Sequence, residues 1–435
     1  MYLADSRRPT ASDAAPADRP GRSPRIAGTV LALGSVSLVT DVSSEMVSAV
    51  LPLYVVAALG VSPLGFGLLD GIYNGASAFV RLLGGLLGDR GGRHKSVAAA
   101  GYGLSALCKP ALLVAGTMPV LGAVLAADRA GKGLRTAPRD ALISLSTPAE
   151  QRGLAFGVHR AMDTAGALAG PLLAFLILRA APGGYHAVFT VSACVAALGV
   201  LVLVLFVPGR RGPYALPAVL PAGNRLRVTA LLRLAGLRRI ALCSTLLGLA
   251  TVSDSFLYLL LQRRLGLSAG WFPLLPLGTA AVYLLLAVPL GAAGDRIGRR
   301  RSFLLGHLML LAAYALVLLR PGGGLPLAAA VLTLHGVFYA ATDGLLAAAT
   351  ANTVPAARRG AGLALVGTGQ ALGRFVCSLA VGALWTRWGD TTALAVMAAA
   401  LALAVGAAAR LLGPAADHPA ADRPAAPDSA AQETV

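Results

Sequence analysis

Gly85-Leu86-Leu87-Gly88-Asp89-Arg90-Gly91-Gly92-Arg93 and Gly291-Ala292-Ala293-Gly294-Asp295-Arg296-Ile297-Gly298-Arg299 share the spacing G-x-x-G-D-R-x-G-R at an offset of 206 residues. Each copy stands between two hydrophobic runs, where one helix ends and the next begins. The glycines permit close helix approach and a sharp turn, the aspartate sets a charge at the edge of the apolar region, and the arginines hold the turn at an aqueous face. One such copy is a weak pattern. Two of them half a chain apart, in a chain this apolar, predict a duplicated membrane protein.

Composition agrees. Of the 435 residues 56% are hydrophobic and 13% charged, and the mean hydropathy is +0.72, values that belong to a polytopic membrane protein rather than to a soluble chain of about three domains. The net charge of +18 does not indicate nucleic acid, because the cations fall in short loops between apolar runs of about 20 residues, the length of a membrane-spanning helix. Cys108, Cys194, Cys243 and Cys377 lie inside hydrophobic segments with no metal or redox spacing, so they read as small packing residues. Residues 1–25 and 413–435 read as disordered cytoplasmic tails, the first without the apolar stretch of a signal peptide.

Runs of spanning length predict helices at 27–57, 65–88, 96–116, 118–145, 153–180, 185–207, 240–262, 270–291, 302–320, 325–348, 360–383 and 391–412. The expected architecture is all-α, with six helices in residues 26–207 and six in 240–412. Between them a linker, 208–239, holds seven arginines and no acid; its leucines predict a short basic helix on the membrane surface. Loops on the side of the termini carry 17 Lys and Arg against five on the other. By the positive-inside rule both termini are cytoplasmic. The repeat extends beyond the turns: Pro148-Ala149-Glu150-Gln151-Arg152-Gly153 returns as Pro355-Ala356-Ala357-Arg358-Arg359-Gly360, and Gly166 as Gly373, at an offset of 207. Duplicated halves of this kind bind solute between them and alternate access by rocking.

The repeated turn resembles the loop motif of the major facilitator superfamily, G-x-L-a-D-r-x-G-r-k, which joins the second and third helices and recurs between the eighth and ninth. Gly85, Leu87, Asp89, Arg90, Gly92 and Arg93 match it in order, with His94 in the lysine position. The resemblance spans residues 26 to 412. It implies a transporter of twelve helices in two pseudo-symmetric six-helix bundles, with a cavity lined by helices one, four, seven and ten. It also implies a cytoplasmic gate at Gly85, Asp89, Arg90, Gly92, Arg93 and Asp140 and, in the second half, Gly291, Asp295, Arg296, Gly298, Arg299 and Asp343. There Asp89 meets the free amides at Gly360-Ala361-Gly362, Asp295 meets Gly153, Arg93 pairs with Asp140, and Arg299 or Arg300 pairs with Asp343.

Charged residues at mid-depth are costly and mark a cavity or a proton path. Asp41 and Glu45, at i and i+4, share one face of the first helix. On the fourth, Asp128, Lys132 and Arg135 share a face on which Asp128 and Lys132 can satisfy each other, while Arg129 points elsewhere. Arg129 and Gly133 resemble the R-x-x-x-G of proton-linked drug exporters, with Lys132 in place of that motif's glutamine. Gly166, Gly170 and Pro171 resemble part of the antiporter motif G-x-x-x-G-P-x-x-G-G, with Ala174 and Phe175 at the last two glycines. Asp163, Asp254 and His335 complete the candidates for substrate or proton coupling, and His159, Gln370 and Arg374 are further intramembrane polar positions. Gly131-Lys132-Gly133 is no phosphate loop, since Ala126 and Gly133 replace required residues.

The expectation is a monomeric, non-enzymatic transporter in the cell membrane that exports a small organic molecule by proton antiport, without cofactor or metal. Its alternative is an importer or facilitator of an organic anion, suited to the cations of the fourth helix. An intramembrane enzyme or a receptor is a remote third reading, since no nucleophile-base constellation is present.

Overall fold

The computed structural model describes residues 27–89, 93–148, 151–207, 233–319, 324–342, 346, 349–350, 353–354 and 359–412. Among them every long element is helical. The first half holds α1 (Gly28–Leu53), α2 (Pro63–Asp89), α3 (His94–Val114), α4 (Met118–Leu145), α5 (Arg152–Ala180) and α6 (Tyr185–Phe206). The second holds α7 (Ala235–Ala250), α8 (Asp254–Leu265), α9 (Leu274–Ile297), α10 (Arg299–Leu319) and α11 (Gly324–Thr342). A last stretch, Arg359–Leu411, turns at Gly389 (φ 84°), which divides it into α12 (359–388) and α13 (390–411).

Nine segments among the described residues are both long and apolar enough to cross a membrane. Adding α2 and α4, which have the length but are more polar, and dividing the last segment at Gly389, the described helices have the lengths for twelve passes. Their outer faces carry exposed Leu205, Leu285, Val288 and Leu403, whereas Asp41, Lys109, Asp128 and Arg135 are buried inside. This inverted distribution is the one a lipid solvent selects.

Two local departures interrupt the regular helices. Pro52 lacks the amide that would continue the ladder of α1, and Tyr54–Ala58 follows as a π-turn. The seventh expected helix, 240–262, begins earlier, at Ala235, and breaks at residues 251–253 into α7 and α8. The freed backbone is satisfied from neighbouring helices: the Val252 amide donates to Tyr314 Oη at 2.9 Å, and Cys377 Sγ donates to the Thr251 carbonyl at 3.2 Å. Broken helices are tolerated at membrane depth where such partners exist.

The repeat seen in the sequence is a repeat in packing. In the first half α1 lies on α5 and α6, and α2 and α3 lie on α4; in the second α7 lies on α12, and α9 and α10 on α11. Gly166 sets α5 directly against the Leu38 carbonyl of α1, and Gly373, its counterpart, sets α12 on α7, where a Cβ would lie 2.7 Å from the Thr245 carbonyl.

The halves meet along α2 with α12 and α5 with α9. The contacts named between them sit at the end opposite the chain termini. There Gly67 abuts the Ser378 carbonyl, and a Cβ on Gly382 would lie 2.5 Å from the Pro63 carbonyl. The Leu64 amide donates to Thr386 Oγ1 at 3.0 Å, and across α5 and the loop before α9 Phe175 meets Trp271 at 5.5 Å. The molecule is therefore closed at its far end. Gly382→Leu is expected to force α2 and α12 apart there, so that disulfide trapping between cysteines placed at Leu64 and Thr386 falls several-fold relative to the parent protein. Undiminished trapping would show that the glycine contact does not govern closure.

Candidate functional site

Where the halves diverge below this contact, a cavity of about 430 Å³ opens. Both halves line it: Glu45, Ser48, Tyr73 and Asn74 on one side, and Thr251 to Ser255, Tyr258, Thr279, Tyr283, Tyr339 and Arg374 on the other. A second cavity of about 380 Å³ shares Thr251, Tyr339 and Arg374 with it and extends within the second half past Gln370 toward Leu363 and Leu346. Since α12 begins and α11 ends on the side of the termini, this path leads from the centre to that side.

Behind the first-half wall lies a linked set of ion pairs. Asp128 is held between Lys109 at 2.9 Å and Arg129 at 2.6 Å, and the Arg129 guanidinium lies over the Tyr73 ring, 4.0 Å from its centroid. Asp41 meets Arg135 at 3.5 Å and Lys132 at 4.0 Å; Lys132 also reaches Glu45 at 3.8 Å. Nearer the termini Arg139 bridges Asp140 at 3.0 Å and Asp163 at 3.6 Å and donates to Ser37 Oγ, which also bonds His159 at 2.9 Å. Five acids face five bases in this set. A buried charge that loses its partner is strongly destabilising, so the pairs bind α1, α3, α4 and α5 together.

The second half carries a smaller set. Tyr339 donates to Asp254 at 2.7 Å, and His335 stands 3.3 Å from the same carboxylate. Arg374, on the same half's wall, makes no ion pair with Asp254, and its buried Nε lacks a hydrogen-bond partner among the described residues.

Of the expected coupling residues, Glu45 and Asp254 line the central cavity, and Asp41, Lys132, Arg129, Asp163 and His335 lie behind its walls in these pairs. Asp128 does not pair with Lys132: Lys109, reaching across from α3, and the adjacent Arg129 hold it, leaving Lys132 to the acids of α1. Gly170 packs against the Cβ of Glu45, 2.8 Å from where its own Cβ would lie, so the helix-five motif fixes α5 beside the acids of α1. At the gate Arg93 and Arg296 are exposed and Asp140 is paired with Arg139. Arg90, Gly92 and Asp343, with the side chains of Asp89, Asp295 and Arg299, lie outside the described residues.

Sequence reasoning passed over Lys109 and Asp70. Lys109 interrupts an apolar α3 and is 2% exposed, a signal equal to that of Asp41. Asp70 stands alone in α2, and only the neighbouring α12 reveals its setting.

The sequence profile of the Major Facilitator Superfamily matches residues 33–281 and 256–433. An uncharacterized MFS-type transporter of Methanocaldococcus jannaschii is 29% identical over 367 residues, 82% of this chain and 88% of the relative. An uncharacterized protein of Mycobacterium tuberculosis is 37% identical over 144 residues, 33% of this chain and 35% of that protein. Among solved structures, the nucleoside transporter NupG superposes with a TM-score of 0.75 at 15% identity, covering 88% of this chain and 99% of its own. A peptide transporter, POT, in complex with sulfate gives 0.72 at 17% identity, covering 90% and 95%. A bacterial homolog of the human lysosomal transporter Spinster, inward-facing and unoccupied, gives 0.68 at 14% identity, covering 88% and 96%. At these identities the likeness is one of fold.

Asp128→Asn is expected to lower stability by about 3–5 kcal/mol, because it leaves Lys109 and Arg129 buried without their shared partner. Thermal unfolding in detergent checks this, and a melting temperature equal to that of the parent would assign Asp128 a role other than cohesion.

Proposed function

This chain belongs to the major facilitator superfamily, a membrane transporter by family and fold, and we propose on that premise that it moves a small polar organic solute by alternating access, coupled to protons and directed outward as an antiporter. The observation that carries the reading is the central cavity of about 430 Å³, walled by both halves and lined by tyrosines, hydroxyls, the acids Glu45 and Asp254 and the cation Arg374. Pockets of this size bury a metabolite-sized ligand. Closure at the far end, with a second cavity leading toward the termini, fits one extreme of a rocking cycle.

Proton coupling is supported by Asp41 and Glu45. They share Lys132 beside the cavity, and a proton on either carboxyl leaves that lysine to the other, changing the contacts between α1 and α4. Export rests on the resemblance of Arg129 and of Gly166, Gly170 and Pro171 to antiporter motifs. The arginine-rich loops support both termini in the cytoplasm and residence in the cell membrane.

A second reading, carriage of an organic anion, is favoured by Arg374. Its guanidinium borders both cavities and makes no ion pair among the described residues, Asp254 acting on it only from longer range, and such a group forms charge-assisted bonds with a carboxylate or phosphate. The nucleoside and peptide transporters of like fold set the scale of solute rather than its identity.

The test is flux in proteoliposomes under an imposed pH gradient, with a panel of small organic anions, cations and neutral solutes. Gradient-driven accumulation is expected to vanish in Asp41→Asn and Glu45→Gln while the protein stays folded. Unchanged pH dependence in both would remove the coupling role. If the transported solute is an anion, Arg374→Gln should raise its apparent KM about 10- to 100-fold, the loss of one hydrogen bond to a charged group. An unaltered KM, or a preference for cations, would end the anion reading.

A further inference from the structure

Asp70 lies on α2 where the halves touch, 5% exposed. Ser378 of α12, 1% exposed, donates its hydroxyl to Asp70 Oδ2 at 2.6 Å, so this bond crosses from one half to the other. Ser253 and Ser255, at the break between α7 and α8, face the same carboxyl. The Ser253 Oγ is buried without a hydrogen-bond partner among the described residues. Beside the carboxyl is a void of about 20 Å³, bordered by Ser48, Tyr73 and Ser255, room enough for one water.

The electrostatics of this place differ from those of the first-half network. Asp41, Glu45, Asp128, Asp140 and Asp163 each have a basic partner within 4.0 Å, and Asp254 has His335. Asp70 has hydroxyls. The titratable groups around it are Tyr73 on its own helix, Asp254 on α8, and Cys377 and then Arg374 on α12; Arg129 of α4 is turned to the Tyr73 ring. None of these cations forms an ion pair with Asp70. A carboxylate buried without a cation is costly enough that such groups are carried neutral. As a neutral acid Asp70 has one O–H to donate, and the buried Ser253 Oγ facing it is an acceptor for that proton.

We propose that Asp70 binds the transported proton and that the proton is the latch between the halves at their far end. This rests on the proton-coupled reading above and names the site. With the far end open, water reaches the carboxylate, and hydronium there delivers its proton to an Asp70 oxygen and leaves as water. The neutral carboxyl is then buried against α12 as the Gly67 and Gly382 contacts close. On the other side the proton passes to water in the void, whose walls Ser48, Tyr73 and Ser255 also border the central cavity, and leaves toward the termini. Reopening restores the carboxylate to water. Each full cycle thus carries one proton from the far side toward the termini; the unpaired charge left in the closed seam on release favours reopening, just as it disfavours closure of an unprotonated molecule.

The experiment needs no identified solute. Spin labels at Ser62 and Trp388, on either side of the closed end, report its width by pulsed electron resonance in liposomes, with the exposed Cys194 replaced by serine and the other three cysteines buried. In the parent the short-distance population should rise as pH falls. Asp70→Asn should hold the short distance at every pH, Asp70→Glu should keep the pH response, and Ser378→Ala should move the transition to lower pH. A parent distance that ignores pH overturns the latch, and if gradient-driven flux is also absent the proton-coupled reading falls with it. A wild-type pH response in Asp70→Asn overturns the latch alone. Should that variant fail to fold, Ser378→Ala decides, and an unmoved transition overturns the proposal. A distance that follows sodium at fixed pH overturns the proton and assigns the site to that ion.

Discussion

A charge inside lipid must bring its partner with it, and the first half of this protein is assembled around that requirement. The helix α4 carries Asp128, Arg129, Lys132, Arg135, Arg139 and Asp140 along its length, a sequence that no isolated membrane helix tolerates. It is stable because α1 supplies Asp41 and Glu45, α3 supplies Lys109 and α5 supplies Asp163. The same pairs that hold the helices together place acids beside the cavity, so cohesion and the charge of the cavity wall draw on one set of side chains. Such networks respond to a single proton because partners are shared: Asp41 and Asp128 each serve two cations, and Lys132 and Arg139 each serve two acids.

Backbone proximity is the second constraint. Without a hydrophobic drive between helices in lipid, close packing at small residues takes its place. Gly166 and Gly373 do this within the halves, at equivalent positions, and leave α1 with α5 and α7 with α12 as tight pairs. Gly67 and Gly382 do it between the halves, at one end only. The unequal contact along α2 and α12 is what leaves room for the cavity below, and it buries Asp70 at the point where the two halves separate. Rigid pairs joined at a separable seam are the mechanical form that alternating access requires.

The break between α7 and α8 joins the two themes. It frees backbone groups that Tyr314 and Cys377 then satisfy, and it turns Ser253, Asp254 and Ser255 toward the seam and the cavity. Asp254 there meets His335 and Tyr339, while the serines face Asp70. A continuous helix would have spread these residues around its circumference.

Much of the fold was legible in the chain. The apolar runs located the helices within a few residues, because membrane thickness dictates their length. The duplicated glycine-aspartate turn revealed the internal repeat, and the mid-helix charges Asp41, Glu45, Lys132 and Asp254 fell at or just behind the wall of the central cavity, because charges persist in lipid only where something answers them. Which residue answers which was settled by three-dimensional packing alone. Helical periodicity put Asp128 and Lys132 on one face, but Lys109 arrives from another helix and takes Asp128; the break at residues 251–253 depends on donors distant in sequence. Asp70 reads as one acid among apolar neighbours until α12 is laid across it. Pattern along the chain determines where helices and charges lie, whereas pairing depends on distances between segments that share no local signal.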